Sequence, residues 1–458
     1  MKYISTRNSK DEKTFLDILF KSLPIDGGLY IPSKWPKVEI NNLKNLEYSE
    51  LAFEIIRFYC EDFISNEDLR KIINSTYRSF HHPKTAPLVN IDDKKYILEL
   101  FYGPTFAFKD YALQFLGNIL EYALKKDQKN ITIIGATSGD TGSAAIEACK
   151  LKSNINIFIL HPFNKVSEVQ RRQMTTILEP NVYNIAVKGD FDDCQKIIKK
   201  LFIDTELINK TTITAINSIN WVRIIAQSVY FFWAYLQMPK ELDKINFIVP
   251  SGNFGNVYAA HVAEKMGLPI EKLHVVTNAN DILNRTITKG EMLIKEIKST
   301  YSPSMDIQVS SNFERQLFES LNYDENKLQI IMKSFNDTGK YHLDKKVVKD
   351  LQSIYTSYTV SDSEILETIK YYYDNYKYIS DPHTATGLNI LKKIENPINS
   401  HVSLACAHPA KFSLAVKNSI NKEPDFPDSI KNIFEKEEKF TILDNNINDI
   451  KEFILNKI

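Results

Sequence analysis

The sequence predicts an α/β protein whose sheets are parallel and covered by helices on both faces. Two observations carry this. From Asn130 to Gly267, short Ile- and Val-rich runs alternate with helical runs, the pattern of strands buried on both faces. Twice in that stretch a strand meets a helix through a glycine loop, GATSGDTG over Gly135–Gly142 and SGNFGN over Ser251–Asn256. Ligands of such sheets bind at the carboxyl ends of strands, where these loops fall.

The first ninety or so residues lack the alternation. TFLDILFKSL (Thr14–Leu23) and LAFEIIRFYC (Leu51–Cys60) carry apolar residues at helical spacing. GGLYIP between them reads as a turn into an extended piece. Residues 1–90 therefore read as a small helical N-terminal domain. KYILELF predicts a strand ending at Phe101. NITIIG then predicts a strand, SAAIEACKL a helix, NINIFIL and VYNIAV two strands, and FDDCQKIIKKLF a helix. TTITAIN and KINFIVP are strands on either side of WVRIIAQSVYFFWAYL, a long apolar helix; VYAAHVAEKMG is a helix and KLHVVTNAN a strand. ATGLNILKKI and AKFSLAVKNSI predict helices, and HVSLAC (His401–Cys406) a late strand that adds to the earlier sheet. The domains are then discontinuous. The region 91–458 divides into a smaller subdomain over about 105–215 and a larger one from 91–104 plus 216–458.

The chain has 458 residues, 43% hydrophobic and 25% charged, an ordinary soluble composition with room for two or three domains. Lys+Arg and Asp+Glu are both 57, so no global field favours nucleic acid or an acidic membrane. Anion specificity must be local. No apolar run is long enough to span a bilayer, and the polar start MKYISTRNSKDEK lacks the apolar core of a secretory signal. Cys60, Cys149, Cys194 and Cys406 show no CxxC spacing, which predicts reduced thiols in a cytoplasm and no zinc site.

FYGPTFAFKDYALQFLG (Phe101–Gly117) sets Lys109 among Phe106, Phe108, Tyr111 and Phe115, just before a helix. Desolvation lowers a lysine's pKa and makes its amine a nucleophile toward an aldehyde. Such a lysine suits pyridoxal phosphate (PLP) held as a Schiff base. On this segment alone, a lysine snorkelling to water is the simpler reading. The glycine loops overturn it. In the first, small residues and free N–H groups at a helix start bind anions, with hydroxyls from Thr137, Ser138 and Thr141. It matches neither the Walker loop nor GxGxxG. In the second, Gly252 and Gly255 permit unusual dihedrals, and Asn253 adds a polar side chain. Two anion cradles and one desolvated lysine suit PLP and an anionic substrate. TAINSINWVR (Thr214–Arg223) adds Asn217, Ser218 and Asn220 at a strand end and Arg223 in the next helical turn. That is either a phosphate or carboxylate site or a capped helix with a solvated arginine. Asp381-Pro382-His383-Thr384 reads as a cap and turn, His408 as a turn residue, and Cys406 as a buried small hydrophobe.

GPTFAFKD, ATSGDTGSAA, NSIN with Arg223, SGNFGN and AHPAKF, in this order and spacing, resemble the threonine synthases. The likeness extends to STRN, DGGLYIP and SMDIQVSSNFER (Ser304–Arg315). It implies PLP fold type II, with two parallel-sheet α/β subdomains and a small N-terminal domain. It makes Lys109 the Schiff-base lysine, bordered by Phe108, with Gly252, Asn253, Phe254, Gly255 and Asn256 around the cofactor phosphate. Thr137, Ser138, Asn217, Ser218 and Arg223 would meet the substrate's phosphate or carboxylate. Cys406 stands where many relatives place a threonine facing the pyridine nitrogen. A thiol is a weak hydrogen-bond partner; with a neutral partner and no carboxylate the nitrogen would stay largely unprotonated, so the cofactor would be a weaker electron sink and more would rest on Lys109. The implied activity is that of a carbon–oxygen lyase, converting O-phospho-L-homoserine and water to L-threonine and phosphate by γ-elimination and β-addition. This is the last step of threonine biosynthesis. The expected enzyme is a cytoplasmic monomer or homodimer with no metal and no nucleic-acid or membrane partner. Two rivals stand beside it: a fold-type-II threonine or serine dehydratase, and a non-catalytic relative that binds a phosphorylated metabolite.

Overall fold

A computed structural model describes residues 1–239 and 244–458. Strands β1 (Tyr3–Ser5), β2 (Asn8–Lys13) and β3 (Tyr30–Pro32) form an antiparallel sheet in the order β2-β1-β3. Helices α1 (Phe15–Phe20), α2 (Tyr48–Cys60) and α3 (Asn66–Tyr77) accompany it. The N-terminal region is therefore mixed rather than purely helical. β2 reads NSKDEK, and β1 and β3 have three residues each, too short and polar to show a period of two. The helix starts follow sequence chemistry: Thr14 and Asp17 make a reciprocal capping box at α1.

Next come β4 (Leu88–Asp92), β5 (Lys95–Glu99) and α4 (Lys109–Asp127). The alternating region supplies β6 (Ile131–Ala136), α5 (Asp140–Cys149), β7 (Ile155–Pro162), α6 (Glu168–Thr175) and β8 (Val182–Lys188). It continues through α7 (Phe191–Leu201), α8 (Thr205–Lys210), β9 (Thr212–Thr214), α9 (Trp221–Leu236), β10 (Ile245–Pro250), α10 (Gly255–Met266) and β11 (Ile270–Thr277). A second mixed stretch holds α11 (Ile282–Lys289), β12 (Glu291–Leu293), α12 (Phe313–Ser320), α13 (Glu325–Thr338), β13 (Lys340–His342), α14 (Lys345–Ile354) and β14 (Tyr355–Thr359). The chain ends with α15 (Asp362–Tyr376), α16 (Pro382–Lys393), β15 (Ser400–Ala405), α17 (Ser413–Ile420), β16 (Thr441–Asp444) and α18 (Ile447–Leu455).

Two parallel sheets result. The smaller runs β16-β8-β7-β6-β9; the larger runs β14-β11-β10-β15-β5-β4, with only the β4 edge antiparallel. The late strand β15 slots between β10 and β5, as expected. The assignment of 216–458 wholly to the larger subdomain needs correction. β16 pairs in parallel with β8, Thr441 against Ile185, and Ile450 and Ile454 of α18 join Ile185, Val187, Cys194 and Ile197 in one apolar cluster. The tail covers an edge that β8 would otherwise leave open.

Helix α9 is buried nearly all round and packs against α10, α4 and α2, the behaviour of a helix apolar on every face. It thereby joins the N-terminal region to both sheets' helices. Among the described residues no helix is long and apolar enough to cross a membrane. The carboxyl ends of β6, β10 and β15 deliver the two glycine loops and Cys406.

Candidate active site

Lys109 opens α4. The adjacent Asp110 accepts from the Thr105 backbone N–H and hydroxyl, both at 2.8 Å, which fixes the helix start. The segment before it is stitched to the loop after β15: Phe108 N–H donates to the Cys406 carbonyl at 2.8 Å and His408 N–H to the Phe106 carbonyl at 3.0 Å. The Lys109 side chain is 12% exposed, with its Nζ 3.4 Å from Asp140 Oδ2 and 5.2 Å from the Phe108 ring centroid. Burial lowers its pKa, Asp140 opposes that, and the cations of Lys411 and Arg223 add to the lowering. The snorkelling alternative fails, because the amine ends inside.

In the first glycine loop the Thr137 hydroxyl oxygen accepts from Gly139 N–H at 2.9 Å and Gly142 N–H at 2.8 Å. Thr137 thus shapes the loop from within, and Ser138 beside it is half-buried. Gly139 has φ +137°, and a Cβ there would stand 2.5 Å from Gln170 Nε2, so only glycine serves. The turn presents Asp140 at the start of α5. Its Oδ1 accepts from Lys411 Nζ at 2.8 Å and Gln170 Nε2 at 2.8 Å. Its Oδ2 faces Lys109 at 3.4 Å and Ser304 Oγ at 3.5 Å. Burial would raise this carboxyl, but Lys411 and Lys109 outweigh it and hold it far below the usual carboxylate range.

In the second loop Phe254 adopts φ 62°. The Gly252 carbonyl accepts from Ser310 Oγ at 2.8 Å, and the Asn253 carbonyl from Asn312 N and Nδ2, both at 3.1 Å. Asn253 Oδ1 accepts from Ser311 Oγ at 2.8 Å. A Cβ on Gly252 would meet Ile307 Cδ1 at 2.9 Å and Met305 Cα at 3.2 Å. The loop's carbonyls are thus turned onto the 305–312 segment, which leaves the N–H groups of the first turn of α10 for an anion. The Asn256 side-chain oxygen is bound, but its Nδ2 has no partner among the described residues.

Arg223 sits in the first turn of α9 and is 3% exposed. Among the described residues its Nε and Nη1 have no hydrogen-bond partner, and burial pulls the guanidinium down to about 10. The alternative of a solvated arginine is thereby overturned. Asn220 does cap α9, accepting from Val222 N–H at 2.9 Å. Asn217 is exposed; Ser218 is half-buried, and its carbonyl accepts from Asn312 Nδ2 at 3.2 Å. The buried Arg315 donates to the carbonyls of Tyr30 at 2.9 Å and Ile219 at 2.6 Å, and to Asn312 Oδ1. Asn312 and Arg315 therefore tie the N-terminal sheet, the NSIN loop and the glycine loop into one support.

Cys406 is buried, and its N–H donates to Thr384 Oγ1 at 2.8 Å. Burial first, then Asp381, pushes the thiol well above its ordinary value, so it stays neutral. The Asp381–Thr384 turn does more than cap α16. Asp381 also accepts from Ala407 N–H at 3.3 Å and pairs with His383 Nδ1 at 2.8 Å, while His383 Nε2 accepts from Ser304 N–H at 3.2 Å. His408 caps the short 3-10 turn Pro409–Phe412, which carries Lys411. The sequence reading missed Asp140, Gln170, Ser304, Asn312, Arg315 and Lys411. Asp140 and Lys411 lay inside the quoted GATSGDTG and AHPAKF motifs, and a charged residue within a small-residue loop is the signal that was available.

These residues fit PLP. A buried donor left unmet costs about 1–3 kcal/mol; Asn256 leaves one such atom, and Arg223, whose charge acts on a lysine of lowered pKa, leaves two. An anionic group with a reactive aldehyde satisfies both features.

Known proteins agree. Residues 2–77 match the family described as threonine synthase N terminus, residues 85–404 the pyridoxal-phosphate dependent enzymes, and residues 384–454 the family described as threonine synthase, C-terminal. The threonine synthase of Pseudomonas aeruginosa is 43% identical over 99% of this chain and 98% of its own length. The structure of PLP-bound threonine synthase from Brucella melitensis superposes with a TM-score of 0.96 at 39% identity, covering 100% of this chain and 99% of that one. Threonine synthase from yeast gives 0.94 at 38% identity, covering 100% and 98%. With a family match along most of its length and a 43% identical relative, the chain belongs to the threonine synthases, PLP-dependent enzymes of fold type II.

Proposed function

We propose that the chain converts O-phospho-L-homoserine and water to L-threonine and phosphate. The observation that carries the reading is Arg223, a buried arginine with two unpartnered N–H groups, close enough to Lys109 for its charge to act on that amine. PLP, when bound, supplies an electron sink for carbanions beside the substrate nitrogen. Lys109 holds the cofactor and then serves as a tethered base and acid at Cα and Cβ. The N–H groups of Gly252, Asn253, Gly255 and Asn256 would receive the cofactor phosphate, with Phe254, whose N–H donates to Ser251 Oγ at 3.2 Å, holding the turn and Phe108 bordering the ring. Cys406, kept neutral by burial, would be the residue facing the pyridine nitrogen. Arg223, Thr137, Ser138, Asn217 and Ser218 take the substrate's phosphate or carboxylate. Donors aimed at the departing dianion stabilise charge as it develops. Access of water before β-addition is limited by the burial of Lys109 and Arg223.

The four cysteines are free and buried, in keeping with a cytoplasmic setting. The test is a phosphate-release assay with O-phosphohomoserine on PLP-loaded protein. Phosphate and threonine in equal amounts are expected. Ammonia from threonine without phosphate release would replace this reading with the dehydratase one.

A further inference from the structure

We propose that Asp140 is a positioning residue for the side-chain nitrogen of Lys109, holding it and its proton in place both while it is joined to the cofactor and when the amine is free during turnover. The proposal deepens the function above and rests on Lys109 being the cofactor lysine.

The two oxygens of Asp140 have different work. Oδ1 is gripped at 2.8 Å by both Lys411 Nζ and Gln170 Nε2. Oδ2 faces Lys109 at 3.4 Å and Ser304 at 3.5 Å. A salt bridge serving only to neutralise Lys411 would need one oxygen. Here the grip on one oxygen aims the other at the amine. The looser distances on the Lys109 side suit a contact that tightens with substrate present. Lys411 is itself pinned, donating to the Thr105 carbonyl at 2.8 Å with 1% of its surface exposed. The grip draws on both sheets: Asp140 and Gln170 start from α5 and α6 of the smaller one, and Lys411 follows β15 of the larger.

The charges around the amine explain the need. Lys411 and Arg223 act on Lys109 as cations, and both favour loss of its proton. Asp140 is the carboxylate that opposes them; His383 is occupied elsewhere, with Nδ1 on Asp381 at 2.8 Å and Nε2 accepting from Ser304 N–H at 3.2 Å. Cys406, kept neutral by burial, adds no charge beside the amine. When Lys109 takes a proton from carbon it becomes an ammonium. Asp140 stays ionised, pairs with it, and the same proton returns to carbon from nitrogen. No proton passes to Asp140.

The experiment uses the full chain loaded with PLP, compared with Asp140→Asn. The pH midpoint of the cofactor's visible band reads the proton on the Lys109 nitrogen. Removing a carboxylate at this range lowers that midpoint by about one pH unit or more. kcat falls at least tenfold while KM for O-phosphohomoserine changes less than about threefold. Asp140→Glu keeps the charge but moves it by one methylene. It retains the midpoint and still loses kcat about tenfold, and it carries the test should Asp140→Asn not fold. A loaded, active wild type with an unshifted midpoint in Asp140→Asn, or full kcat in Asp140→Glu, overturns this proposal alone. A wild type that takes up no cofactor overturns the function with it.

Discussion

The Tyr230 hydroxyl donates to Asn256 Oδ1 at 2.5 Å, so α9 fixes the amide at the start of α10 from behind the site. Burial pushes the phenol well above its ordinary value, so it remains a donor at any working pH. With its oxygen committed, Asn256 has Nδ2 left for a ligand. Tyr230→Phe removes one neutral hydrogen bond, about 0.5–1.5 kcal/mol. The expected result is a cofactor Kd raised about three- to tenfold in a fluorescence titration. An unchanged Kd would show that Asn256 needs no such anchor.

Lys109→Ala should abolish turnover and leave PLP-treated protein without the visible band that borohydride removes from the wild type. A variant retaining full activity would refute the assignment of the cofactor lysine.

Arg223→Ala should split function from stability. Losing a charge-assisted anchor of about 1.5–3 kcal/mol lowers kcat/KM for O-phosphohomoserine about 10- to 100-fold. The same change removes an unpartnered buried cation, so the Tm of the cofactor-free protein should hold or rise. A large fall in Tm would make Arg223 a structural residue instead.

A second buried network sits behind the glycine loop. Glu319 accepts from Tyr258 at 2.6 Å, pairs with Lys265 at 2.9 Å and lies 3.5 Å from His261 Nε2. Against the effect of burial, Glu319 and Glu264 raise His261 to about 9, and His261 and Lys265 bring Glu319 down to about 2. A raised histidine gives its full stability below its unfolded value near 6.5 and loses it as pH climbs through 9. A depressed carboxylate gives its full stability above about 4.5 and loses it as pH falls through 2. The network is strongest between those limits. Between pH 6.5 and 9 the wild-type Tm should fall by about 2 °C more than that of His261→Gln, followed by circular dichroism. Parallel curves would rule His261 out as the titrating group.

Much of the fold was legible because its strands announce themselves. β6, β7, β10 and β15 are short apolar runs closed by loops, and a strand as late as β15 had to join an existing sheet. The short polar β1, β2 and β3 gave no such signal, since a three-residue strand has no period to detect. β16, with four residues after a loop, showed no sign of which sheet it would join. At the site, Lys109 and the glycine loops were visible as local chemistry. Asp140 and Lys411 were not, because their partnership is made by tertiary packing of segments far apart in sequence. Thr137 was read as a ligand donor, and the structure shows that its oxygen first serves the loop's own amides.

The tail strand Thr441–Asp444 makes assembly a late event. β15 must arrive before β5 and β10 can be bridged, and β16 before the edge of β8 is closed. A chain emerging from the ribosome therefore carries incomplete sheets until β15 and β16 have both appeared. Loop-closure entropy makes such distant pairings slow, and open edges expose the growing chain to aggregation. Trimming the C-terminus would reopen a flank of the smaller sheet.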